Sequence, residues 1–103
     1  MGIIKQREED ASRALLVLKG EIDMHTSNSL RLDLLALVKK KLPRLELDMA
    51  EVSYIDSSGL ATLIESVKAC HAYGGVMRLR RVQKRVMDVF RLAHLETFFE
   101  LDG

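Results

Sequence analysis

Two short stretches of the sequence concentrate groups able to cap a helix, bind a partner or accept a modification. The first is Asp56-Ser57-Ser58-Gly59-Leu60, which opens a run with helical apolar spacing. Asp56 and Ser57 can each cap that helix, since its first backbone N–H groups have no partner within the helix. Gly59 lets other groups approach the first turn closely. A serine at a helix start is most simply an N-cap, but it is also a good place to carry phosphate. The added charge of about −1.5 to −2 faces the positive end of the helix dipole, so it need not unfold the helix. Beside Asp56 it would change the surface charge sharply, which suits a switch that works without refolding. The second stretch is Gly20-Glu21-Ile22-Asp23-Met24-His25-Thr26, where a strand hands over to a helix and Asp23 or Thr26 can cap.

Neither stretch is a catalytic motif. The serine turn is not the Gly-x-Ser-x-Gly elbow of hydrolases. His25, His71 and His94 lack a neighbouring pattern that marks a base or a metal ligand, and no cofactor or metal is expected. Cys70 falls on an apolar helical face, as a small core residue.

The elements that must position these turns alternate between strand and helix. Ile3 to Arg7 can form an edge strand. Ala14 to Leu18 is apolar on both faces, which predicts a strand covered on two sides and ended by Gly20. Thr26-Ser27-Asn28-Ser29 precedes a helix with Leu30, Leu34, Leu37 and Val38 on one face, closed by Lys39-Lys40-Lys41 and stopped by Pro43. Arg44 to Met49 alternates as a strand, and Val52, Tyr54 and Ile55 lead on to the serine turn. The next helix aligns Leu60, Leu63, Ile64, Val67 and Cys70 and ends at Gly74-Gly75. Val76 to Arg80 is a short strand. A third helix carries Val82, Val86, Val89, Phe90 and Ala93, and Phe98 to Leu101 can close as a last strand. The order β-β-α-β-α-β-α-β predicts one α/β domain over residues 1–103, with a mixed sheet that is parallel where helices cross over. In such sheets the strand-to-helix turns gather at one end, so Asp23 and Ser57 are expected on a common surface.

Composition narrows the possible functions. The chain has 103 residues, 48% hydrophobic and 30% charged, with one cysteine and a net charge of +1. That is ordinary globular usage, large enough for one core without disulfides. No apolar run reaches the ~20 residues that span a bilayer. Near-neutrality and 5% aromatics without Trp argue against nucleic acid as a direct partner. Met1-Gly2 with Gln6 in place of Ser or Thr does not complete a myristoylation signal, and the acidic Glu8-Glu9-Asp10 is unlike a secretory leader. A reducing cytoplasm is the expected setting. The net charge conceals a polarity. Residues 78–91 hold six cations against Asp88 alone, so that segment carries +5 and the rest of the chain −4. It is expected to be a solvated face rather than a dedicated site for an acidic partner.

Gly20-Glu21-Ile22-Asp23 with Thr26, then Tyr54-Ile55-Asp56-Ser57-Ser58-Gly59-Leu60, then Gly74-Gly75, together resemble a STAS domain, and more narrowly the bacterial anti-sigma-factor antagonists. The likeness runs from about Ile3 to Leu101. It implies a mixed β-sheet flanked by helices and a non-enzymatic, partner-switching role in transcription regulation. The partners it implies are an anti-sigma factor, usually also a GHKL-type serine kinase, and a PP2C-type phosphatase. Binding of the unmodified antagonist frees a sigma factor; phosphorylation of the first serine after the aspartate, here Ser57, breaks the complex. Asp23 and Asp56 match the family's acidic neighbours of that serine, and Thr26, Ser58 and Gly59 complete the partner-binding set. The chain stops at Gly103, short of the family's last helix, and the basic segment has no counterpart in the shared motif. STAS-like domains also serve as subunits of phospholipid-transport ABC systems, the alternative reading; serine at both 57 and 58 leans toward the antagonists.

Overall fold

A computed structural model describes residues 2–102; Met1, of the lipidation pattern, and the terminal Gly103 lie outside them. Eight elements follow in the expected order: β1 (Ile4–Glu9), β2 (Arg13–Ile22), α1 (Ser27–Lys39), β3 (Arg44–Ile55), α2 (Ser57–Ala72), β4 (Val76–Arg80), α3 (Lys84–Leu92) and β5 (Glu100–Leu101). The strands lie in the sheet in the order of the chain, β1-β2-β3-β4-β5. β1 and β2 form an antiparallel hairpin, and the other three pairings are parallel. Each parallel step needs a crossover, and the three helices supply them.

Strand alternation divides the sheet into two unlike faces. Ala14, Leu16, Leu18, Leu45, Leu47, Met49, Met77 and Leu79 are buried on one of them. Pairing of Leu16 with Leu47, and of Leu47 with Leu79, aligns that apolar face across three strands. The helices add Leu30, Leu34, Leu37, Leu63, Val67, Cys70, Val86 and Phe90 to the same core. Three right-handed crossovers stepping the same way across a sheet put their helices on one side.

The opposite face is open, which corrects the expectation of two-sided cover for Ala14 to Leu18. Leu15 and Val17 are only half-buried, and their neighbours there are charged. Glu46, its side chain 5% exposed, receives Arg13 at 3.2 Å and faces Arg80 at 3.9 Å. Asp48 is paired with Arg81, and Arg78 with Asp102. Half of the segment's six cations are therefore engaged by ion pairs outside it: Arg78, Arg80 and Arg81 each meet a carboxylate from elsewhere in the chain.

Four other boundaries differ from expectation. β1 reaches Glu9, and β5 is only Glu100–Leu101, with Phe98 and Phe99 before it. Gly20 does not end β2. It adopts φ +113°, and the register shifts there, so a bulge carries the strand on to Ile22. β3 likewise runs to Ile55. This extra length is what brings the two turns together.

Candidate functional site at the strand-to-helix turns

β2 and β3 end side by side. Ile22 pairs with Ile55, and the Asp56 N–H donates to the Ile22 carbonyl at 3.2 Å. The chain leaves the sheet at the same level twice, so Asp23 and Asp56 begin adjacent turns, as expected from the sequence.

The first turn is closed by its own side chains. The Asp23 carboxylate accepts from the backbone N–H of His25 at 2.9 Å and of Thr26 at 3.2 Å. Thr26 occupies the N-cap position of α1, but its hydroxyl does not cap the helix. It donates to the Glu21 carbonyl at 2.6 Å and accepts from the Asp23 N–H at 3.0 Å. Thr26 thus locks the turn from within.

In the second turn the choice between Asp56 and Ser57 as cap is resolved. Asp56 is the N-cap of α2, accepting from the N–H groups of Ser58 at 2.9 Å and Gly59 at 3.0 Å. The Ser58 hydroxyl also donates to the same oxygen, at 2.6 Å. Ser57 is exposed, and its hydroxyl takes part in none of the hydrogen bonds that tie the turn together. The two serines are therefore inequivalent: one hydroxyl is engaged, the other is presented.

Gly59 fixes α2 to the strand ends. It is buried, and a Cβ there would lie 2.6 Å from the Ile22 carbonyl oxygen and 2.7 Å from side-chain atoms of Ile22 and Ile55. Only a residue without a side chain lets the first turn of α2 sit this close to β2.

The Asp56 carboxyl is held below the usual range, first by the Ser58 hydroxyl and then, against some desolvation, by the backbone amides of Gly59, Ser58 and Met24. The Met24 contribution links the two turns. Asp48 is likewise held low, chiefly by the Arg81 guanidinium. A carboxylate with a folded pKa below its unfolded one stabilises the fold above the unfolded value, and that stabilisation is lost as pH falls through the folded one. Thermal stability should therefore drop as pH falls below about 4. Asp56→Ala should lower stability at pH 7 by about 1 kcal/mol, the usual value of an N-cap. It should also make the acid limb shallower. Melting curves of both proteins across pH measure both effects, and identical acid limbs would contradict the assignment.

Sequence reasoning missed the apolar part of this surface. Met24 is 73% exposed between Asp23 and His25, and Tyr54 is 46% exposed one residue before the end of β3. A methionine inside a polar turn, outside any helical or strand periodicity, was the available signal. Among the described residues no group of His, Cys, Asp and Glu could hold a metal. The grooves at the surface are open and lie away from both turns. The arrangement offers an exposed hydroxyl, two fixed carboxylates and an exposed thioether on one surface.

This fold and site define a class. Residues 3–102 match the STAS domain family, and the chain belongs to it. Within that family it is 28% identical over 100 residues to the anti-sigma-B factor antagonist of Bacillus subtilis, covering 97% of this chain and 88% of that one. Its fold is shared with an anti-sigma factor antagonist from Mycobacterium paratuberculosis, at TM-score 0.83 and 23% identity over 95% of this chain and 83% of the other. It is shared as well with the Bacillus cell fate determinant SpoIIAA in its phosphorylated form, at TM-score 0.74 and 20% identity over 95% and 89% of the chains. No helix among the described residues is long and apolar enough to cross a membrane.

Proposed function

We propose that this protein is an anti-sigma-factor antagonist: a cytoplasmic, non-enzymatic module that binds an anti-sigma factor, frees a sigma factor, and is switched off by phosphorylation of Ser57. The observation that carries this reading is the division of labour between Ser57 and Ser58. The Ser57 hydroxyl stands exposed on the first turn of α2, while the Ser58 hydroxyl is bonded to Asp56. Relatives named as antagonists of anti-sigma factors support the partner class. In this reading the anti-sigma factor doubles as a GHKL-type serine kinase that phosphorylates Ser57, and a PP2C-type phosphatase removes the phosphate. Asp23, Thr26, Asp56, Ser58 and Gly59 shape the bound surface, with Met24 as its apolar contact.

Affinity capture from the source cell, followed by phosphosite mapping, tests this directly. An anti-sigma factor with a GHKL-type kinase fold should co-purify, and phosphate should map to Ser57. Phosphate on Ser58 alone, or capture of an ABC-transporter ATPase instead, would overturn the reading.

A further inference from the structure

The proposed switch uses none of the basic segment, and the structure divides that segment in two. Arg78, Arg80 and Arg81 are paired with carboxylates elsewhere in the fold, Arg80 sharing Glu46 with Arg13, whereas Lys84, Arg85 and Arg91 lie on α3 with Asp88 as their only acidic partner. Lys84 and Arg91 share Asp88 at 3.2 and 3.6 Å, and Arg85 makes no ion pair among the described residues. Glu96 and Glu100, in the segment that follows, pair with none of the three. Lys84 and Arg85 stand in the first turn, at the positive end of the helix dipole, where cations are unfavourable, and that turn holds no acidic residue of its own. Between Lys84 and Arg91 lies an open groove of about 280 Å³, lined by these two cations with Val82 and Met87. Val82 and Met87 give it an apolar floor, and Leu92, elsewhere on α3, is 83% exposed.

We propose that this groove on α3 is a second docking surface, for an acidic protein segment that seats an apolar side chain between Lys84 and Arg91. The charge excess selects acidic groups, and the floor selects an apolar anchor. Nucleic acid fits less well, because its phosphates offer nothing to Val82 and Met87. Phe90, the one aromatic of α3, is fully buried and cannot stack on a base. A bilayer would meet one protruding leucine beside a concave groove, not a broad apolar face. The surface is also separate from the switch. The Gln83 side-chain amide donates to the Ala50 carbonyl at 2.7 Å, pinning the start of α3 to β3. From Ala50 to Ile55 the strand runs about 17 Å. Binding at α3 should therefore be indifferent to the state of Ser57.

Selection of a random peptide library displayed on phage against the whole chain is the test. Enriched peptides should carry Leu, Met or Phe flanked by Asp or Glu. Their affinity should fall about tenfold or more in Lys84→Glu/Arg91→Glu, which reverses the two cations that line the groove, and less in Arg85→Glu, which lies outside that lining. It should be unchanged in Ser57→Asp. Lack of enrichment, enrichment of peptides without acidic residues, indifference to the charge reversals, or tighter binding of a duplex DNA fragment than of the peptides would each overturn the proposal. Circular dichroism of each variant separates lost binding from lost folding.

Discussion

Ser57→Asp should weaken binding to the cognate anti-sigma factor by about 100-fold, near 2.7 kcal/mol, while Ser57→Ala binds as the parent does. The contrast follows from where the side chain stands. Ser57 is exposed and its hydroxyl is not part of the turn's bonding, so alanine removes nothing the fold uses. Aspartate there adds a charge beside Asp56, whose own carboxylate stays ionised at neutral pH, and near Asp23 in the adjoining turn. In an interface burying about 800 Å² per partner, that charge must be desolvated beside a carboxylate already fixed there. Phosphate, with about twice the charge, should act more strongly still. The helix dipole favours an acid at this position, so neither variant should lose thermal stability. Calorimetric titration of the three proteins decides it: equal affinities for Ser57→Asp and Ser57→Ala would sink the proposed switch.

Gly59→Ala should be the most damaging single-methyl change near the site. The new Cβ meets the Ile22 carbonyl oxygen, which belongs to a paired strand, and two side chains fixed in the core. No flexible side-chain end is available to yield, so α2 must lift from the strand ends. Overpacking of this kind costs about 3 kcal/mol. For a chain of this size that lowers the melting temperature by roughly 12–20 °C. Displacing α2 also moves Ser57 and Asp56 together, so partner binding should fall even at temperatures where the variant is folded. Ser58→Ala is the control. It removes one hydroxyl–carboxylate hydrogen bond and leaves both backbone caps on Asp56, so its melting temperature should stay within a few degrees of the parent's. Similar melting temperatures for Gly59→Ala and the parent would refute the close-packing argument.

The helices were legible because their apolar faces are regular: Leu30, Leu34 and Leu37, or Val86 and Phe90, fall at helical spacing and are buried. The parallel crossovers followed from element order. Gly20 misled because a glycine with positive φ marks a bulge as readily as a strand end. Ala14 to Leu18 misled because Leu15 and Val17 are apolar yet half-exposed, and composition alone does not say which face a helix covers. At the site, the common surface of Asp23 and Ser57 was readable from topology. The inequivalence of Ser57 and Ser58 was not, since it depends on which hydroxyl the Asp56 carboxylate captures. The pairing of Arg80 with Glu46 and of Arg81 with Asp48 was equally hidden. It requires the parallel register of β3 and β4, to which no local pattern points.

The spatial order of the strands matches the order of their synthesis. After the β1–β2 hairpin, every βα unit adds to an edge that already exists, so the sheet can grow as the chain leaves the ribosome, without threading a strand between two others. The paired ends of β2 and β3 and the first turn of α2 meet through contacts encoded before α3, the Ile22–Ile55 pairing and the close approach of Gly59 to Ile22, while α3 bonds to β3 nearer its middle, at Ala50. Nascent chains truncated before α3 should therefore be able to pair Ile22 with Ile55 and present Ser57 while the last strands are still being made.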